Sequence, residues 1–427
     1  MNYDLELTKE KLLELIKTDK LKRSIKINNL LKIINLLKKN TILSIDGNWG
    51  CGKTVFVKQI ELINKEKLKD LGNNISLEKN VIDEFNSKYI VYYYNAWEND
   101  NHEDPLKSII FKIVNDFPKE QNQIFDGTVQ LPLDFKKFIK SISCDLINID
   151  KVKSYKDLVE SIYTVEEQKK ALNNLLNNII PNDKKIVMII DELDRCNPNF
   201  AVKLIETIKH FFNNNNLIFI LASNNEQLAC TISKFYGEKF DGYGYLNKIY
   251  DLIFTLENID PNTYIDDILS VYLGDTWSVS VIKSLCEYYN FSMREINRYI
   301  YIMDLLSDYY NSFDSFSENS LLKYVFVPYC LALKIRSVKI FNEFISGRNI
   351  DDFISIIKKE KDLTDVIDDI ISKDKSNLSQ RKTPIEYIED IYNIYFNNYS
   401  SKNRLTHKTK AMFLDVISMI SNFSSLC

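Results

Sequence analysis

The chain has 427 residues, 45% of them hydrophobic, and a formal net charge of −4 from 55 basic and 59 acidic side chains. That is enough apolar material for one large core or two smaller ones, and no basic block marks a dedicated nucleic-acid binder. The seven cysteines lie far apart, without a CxxC pair, beside only three histidines, which argues against a structural zinc site and fits a reducing cytoplasm better than a disulfide framework.

The first residues, MNYDLELTKEKLLELIK, are charged throughout and lack the apolar stretch of a signal peptide. Residues 8–39 carry apolar positions at helical spacing, such as Leu12, Leu13, Ile16, Leu30, Leu31 and Ile34. A β-like run follows at Thr41–Ile45, ending in Asp46-Gly47, and a second, Tyr89–Tyr94, is rich in β-branched and aromatic residues. Two more, Ile186–Ile190 and Leu217–Leu221, are almost wholly apolar. Continuous apolar runs suit strands buried on both faces of a parallel sheet, and the helical patterns between them give an α/β architecture with right-handed crossovers.

The strands frame a core at residues 41–256, preceded by N-terminal helices at 1–40 and interrupted by a helical insert at about 103–182. Beyond about residue 260 only helical patterns continue, read as a lid subdomain at 257–310 and a C-terminal helical region at 311–427. The polar run Asn311–Ser320 is the linker candidate between them. The longest apolar stretch, Tyr324–Leu333, is about half a membrane span and contains Pro328, so no integral membrane segment is expected.

The sharpest motif is Gly47-Asn48-Trp49-Gly50-Cys51-Gly52-Lys53-Thr54, a full GxxxxGK[ST] match between a strand and a helical pattern. Three of the chain's ten glycines fall within six residues here. They let the backbone curl so that several N–H groups point at a phosphate, and the following helix adds the positive end of its dipole. Lys53 is expected at the β- and γ-phosphates and the Thr54 hydroxyl on magnesium, which makes ATP and Mg2+ the expected ligands. No NKxD base-reading motif follows the fourth strand, which favours ATP over GTP.

The third run ends in Asp191-Glu192. Asp191 stands where a carboxylate holds magnesium, and Glu192, next along the sheet's carboxyl edge, is expected to orient and deprotonate the attacking water. Asp194 fits the acid preference of the helix starting near Pro198. The fourth run ends Ser223-Asn224, where a polar side chain either senses the γ-phosphate or simply caps the next helix. Trp49 and Trp97 are read as packing against the sheet edge rather than reading a base.

In combination these residues resemble the KAP family of P-loop NTPases. The resemblance rests on the phosphate loop with Trp49, on Asn95-Ala96-Trp97, on Asp191-Glu192-Leu193-Asp194-Arg195-Cys196-Asn197-Pro198, and on Ser292-Met293-Arg294-Glu295-Ile296-Asn297-Arg298, in that order over about residues 20–310. It implies an additional-strand (ASCE-type) sheet, with the sensor strand between the phosphate-loop strand and the Asp191 strand. It also implies that Arg294 or Arg298 reaches nucleotide phosphates from the helical lid. Arg195 is read either as serving a neighbouring subunit in this way or as a surface ion pair. Glu192 replaces the family's usual aspartate, and Asn247 replaces an acid in Tyr245–Lys248, so no role is carried onto Asn247. Many members carry membrane helices in the insert, which has none here. The resemblance further implies an ATP-driven switch in bacterial phage defence, as a homo-oligomer or with a protein effector. The alternative from the residues alone is an ATP-gated scaffold with little turnover, and a nucleic-acid motor would need a basic groove that the sequence does not display.

Overall fold

The computed structural model describes residues 7–66, 77–102, 104–120, 173, 176, 183–211, 214–258, 264–265, 276–310, 317–373, 383–397 and 407–423. Most of the insert at 103–182 and of the linker Asn311–Ser320 lies outside them. The chain falls into two compact units that part between Glu257 and Asn258.

The first unit is a parallel five-stranded sheet flanked by helices. Its strands are β1 (Thr41–Asp46), β2 (Tyr89–Asn95), β3 (Lys185–Asp191), β4 (Leu217–Ser223) and β5 (Leu252–Thr255), in the order β2-β3-β4-β1-β5. β4 thus separates the phosphate-loop strand β1 from the Asp191 strand β3, the additional-strand arrangement expected. Helices α1 (Lys9–Thr18), α2 (Ser24–Leu36), α3 (Lys53–Lys65), α4 (Lys79–Lys88), α5 (Pro105–Glu120), α6 (Pro198–Phe211), α7 (Asn225–Tyr236) and α8 (Gly242–Asn247) complete the unit among the described residues.

Side-chain alternation explains why the strand sequences are apolar without a break. Ile186, Met188 and Ile190 of β3, with Leu217, Phe219 and Leu221 of β4, join one core with α5, α6 and α7. Val187 and Ile189, with Ile218, Ile220 and Ala222, face a second core against α2, α3 and α4. Each fully buried side chain of this size contributes about 1.5–3 kcal/mol, which selects apolar residues on both faces through the middle of β3 and β4.

The N-terminal helices expected before residue 41 are two, α1 and α2, parted where Asp19 and Lys22 adopt positive φ of 48° each and the Asp19 carboxylate accepts from the Ser24 N–H at 3.0 Å, which turns the chain. The fifth strand, only four residues long and largely exposed, was not anticipated. Its pairing comes from β1, Leu43–Asp46 against Leu252–Thr255, not from its own pattern.

The second unit is helical: α9 (Thr276–Tyr288), α10 (Met293–Tyr310), α11 (Ser317–Leu321), α12 (Val327–Arg336), α13 (Val338–Ile345), α14 (Asp351–Lys359), α15 (Lys361–Ser372), α16 (Pro384–Phe396) and α17 (His407–Asn422). A π-helical turn, Leu322–Phe326, leads into α12. Val327–Lys334 is buried on every side, which identifies the longest apolar run of the sequence as a central core helix. Tyr329 stacks on Phe353 at 4.0 Å between ring centroids, and Phe344 packs edge-on to both. Among the described residues no helix is long and apolar enough to cross a membrane.

Candidate nucleotide site

The carboxyl ends of β1, β3 and β4 assemble the site. After Asp46 the chain curls through Gly47–Gly52 and enters α3 at Lys53. Gly52 caps α3 with φ 92°, a left-handed conformation costly for any residue with a Cβ. Gly47 is needed for a different reason: a Cβ there would lie 2.6 Å from the Leu256 carbonyl oxygen and 2.7 Å from Cys51 Sγ. The loop is therefore clamped between its own buried Cys51 and the end of β5. Lys53 is 9% exposed, and its Nζ donates back to the carbonyls of Gly47 at 2.6 Å and Asn48 at 3.1 Å. The N–H groups of the first turn of α3 and the Lys53 ammonium suit an anion at this end of the helix.

Asp191 ends β3 and is 1% exposed. Its carboxylate accepts from the Tyr93 hydroxyl at 3.1 Å and from the Glu192 N–H at 2.9 Å, and the Thr54 side chain lies near enough to lower its pKa. Burial pushes its pKa up to about 6; Thr54 and Tyr93 pull against the shift, and the Glu192 charge adds to it. The Thr54 hydroxyl on α3 and the Asp191 carboxylate on β3 are neighbouring oxygens that fit a magnesium ion, which keeps most of its waters and takes few protein oxygens.

Glu192 adopts φ 62°, unusual for a residue with a side chain. Its carboxylate takes a salt bridge from Arg195 at 2.6 Å, and Asn95 Nδ2 lies 3.4 Å from the other oxygen. Arg195 therefore engages Glu192 of its own chain, and its guanidinium also lies 5.7 Å from the centre of the Trp97 ring. Trp49 donates its indole N–H to Asp194 at 2.5 Å. Trp49 is 46% and Trp97 52% exposed, so neither packs into the sheet edge as expected; both stand beside the acidic turn.

Ser223 is fully buried, and its hydroxyl donates to Asn225 Oδ1 at 3.1 Å, in a network with Ser44 and Tyr250. The Asn224 side-chain oxygen caps α7, accepting from the Glu226 and Gln227 N–H groups at 3.1 and 3.2 Å. Arg294 and Arg298 lie on α10 of the helical unit, the first exposed and the second partly buried.

Sequence reading missed Tyr93 and Asn95 as site residues. The signal was present: two residues apart on β2 they share a face, and β2 pairs with β3 so that Asn95 lies opposite Asp191.

Comparison with known proteins agrees with this geometry. The profile of the KAP family P-loop domain matches residues 23–310, more than half of the chain, and the protein belongs to that family. No curated protein sequence matches it. Among solved structures it is similar to a chain of the Drosophila ORC bound to DNA, at 12% identity over 99% of this chain and 95% of that one, with a TM-score of 0.37. It is also similar to a chain of Drosophila ORC bound to poly(dA/dT) DNA and Cdc6, at 9% identity over 99% and 75%, with a TM-score of 0.33. Scores this low carry no inference about function.

Proposed function

We propose that this KAP family member binds ATP with magnesium and hydrolyses it to drive a conformational switch. The observation that carries the reading is the buried Asp191 carboxylate at the end of β3, beside the Thr54 that closes a complete phosphate loop and one residue before Glu192. In this account the backbone from Gly47 to Thr54, including Asn48, Trp49, Gly50 and Cys51, surrounds the phosphates, and Lys53 moves from its two loop carbonyls onto the β- and γ-oxygens. Thr54 and Asp191 would hold magnesium, which when bound would supply charge neutralisation at the phosphates. Glu192 orients the attacking water and takes its proton. Ser223 and Asn224 are the sensor candidates; the Ser223 hydroxyl is engaged with Asn225 and the Asn224 side-chain oxygen caps α7, so sensing by Asn224 would fall to its Nδ2. Arg294 or Arg298, on the resemblance to the family, meets charge on the transferred phosphoryl group.

A second reading, an ATP-gated scaffold with little turnover, draws support from the Arg195 salt bridge on Glu192 at 2.6 Å and from Asn95 on its other oxygen, since both oxygens that would face a water are occupied. Hydrolysis by the wild type well above a Glu192→Gln variant that still binds ATP favours the enzyme; equal, negligible rates favour the scaffold. The role in cytoplasmic bacterial phage defence, as a homo-oligomer or with a protein effector, rests on family resemblance alone. It predicts that cells expressing the protein plate phage less efficiently and that Lys53→Ala restores plating.

A further inference from the structure

Arg23 lies just before α2, far in sequence from the phosphate loop, yet it is 6% exposed and reaches the loop's outer side. Its Nη2 donates to the Cys51 carbonyl at 3.0 Å and to the Glu257 carbonyl at 2.6 Å. Residue 256, just before, is itself tied to the root of the loop: the Leu256 N–H donates to the Asp46 carbonyl at 2.7 Å. One guanidinium thus spans the phosphate loop and the chain leaving β5. Both hydrogen-bond acceptors are neutral carbonyls, so the nearest opposing charge is the Glu257 carboxylate, which acts on the guanidinium without appearing among its hydrogen-bond partners.

The peptide joining Cys51 to Gly52 shows what this does. In a trans peptide the C=O and N–H point in opposite directions, and the described chain has no cis bond. With the Cys51 carbonyl aimed at Arg23, the Gly52 N–H is aimed away from it. Gly52 caps α3, where the unpaired N–H groups of the first turn gather around an anion. A charged donor on the carbonyl also polarises the whole amide and strengthens its N–H as a donor on the other side. An arginine suits this role because it stays charged when buried and offers several donors in a fixed plane.

We propose that Arg23 is a positioning residue for phosphate binding: from behind the loop it fixes the Cys51–Gly52 peptide with its N–H turned toward the phosphates and adds a buried positive charge beneath them. This rests on the phosphate-loop reading above. The effect should fall on ligands whose distal phosphates sit in the loop, and spare a nucleotide that lacks them.

The test is calorimetric affinity of the full chain for MgATP and for AMP, with wild type, Lys53→Ala, Arg23→Gln and Arg23→Lys, each with a melting temperature. Arg23→Gln keeps an N–H donor and loses the charge; Arg23→Lys keeps the charge and loses the fork. The expected result is about tenfold or more weaker MgATP binding for Arg23→Gln, a smaller loss for Arg23→Lys, and little change for AMP in either. If Arg23→Gln does not fold, the ATP-to-AMP ratio of Arg23→Lys decides by itself. A ratio unchanged in the folded variants, or ATP and AMP weakened alike in step with a lower melting temperature, reduces Arg23 to a structural residue and overturns the inference. Wild type that binds MgATP no better than Lys53→Ala overturns the phosphate-loop reading, and this inference with it.

Discussion

Arg195 Nη1 lies 2.6 Å from Glu192 Oε1, within one turn of chain. The acid proposed to activate water is thus held by a cation of its own chain, with Asn95 on its other oxygen. The oxygen that Arg195 holds is not open to a water, so the pair has to part before that oxygen can take a proton.

If this pair restrains turnover, Arg195→Ala raises basal ATP hydrolysis. A partly buried pair of this kind is worth on the order of 1 kcal/mol, or roughly a fivefold rate change. Steady-state turnover without any partner checks it. A fall in rate instead points to Arg195 on the phosphates, in its own or a neighbouring subunit.

Asp191 gives a pH-dependent stability prediction. Burial raises its pKa from 3.8 to about 6, so the folded state holds the proton more tightly than the unfolded one. The stabilising contribution is complete below the unfolded value and is lost as pH rises through about 6. At pH near 8 the buried carboxylate then costs on the order of 2–3 kcal/mol relative to a neutral group. Magnesium-free Asp191→Asn therefore melts higher than wild type near pH 8, and the advantage closes toward pH 4. Adding MgATP reverses the order, because only the carboxylate gains from the cation. Thermal melts across pH, with and without MgATP, measure both parts.

Gly47→Ala tests the clamp on the phosphate loop. The added methyl would meet the Leu256 carbonyl at 2.6 Å and Cys51 Sγ at 2.7 Å, and neither the backbone nor a buried thiol can withdraw freely. A loss of about 1–3 kcal/mol in stability is expected, with MgATP affinity reduced more than the stability loss alone explains. Chemical denaturation and calorimetry on the same variant separate the two.

The legible part of this protein is the part written locally. The phosphate loop, Asp191 and Glu192 each follow a strand directly, so a short stretch of sequence fixes both the element and the residue at its end. β3 and β4 were legible because they are buried on both faces, which forces unbroken apolar runs. β5 was not, since an exposed four-residue edge strand has no pattern of its own and takes its register from β1. The contacts that set the site's state, Tyr93 on Asp191, Asn95 and Arg195 on Glu192, and Arg23 on Cys51, depend on side-chain directions and on pairings across long separations. Residue spacing alone does not encode them. The tryptophans illustrate the same limit: their proximity to the loop was evident, and their half-exposed positions were not.

Steady-state phosphate release by the purified chain with magnesium decides whether this fold turns over ATP at the Thr54–Asp191–Glu192 corner. The account predicts measurable turnover in wild type, loss of both binding and turnover in Lys53→Ala, and loss of turnover with retained ATP binding in Glu192→Gln. A wild type that releases no phosphate above Glu192→Gln, or a Lys53→Ala variant that hydrolyses ATP as fast as wild type, would contradict it.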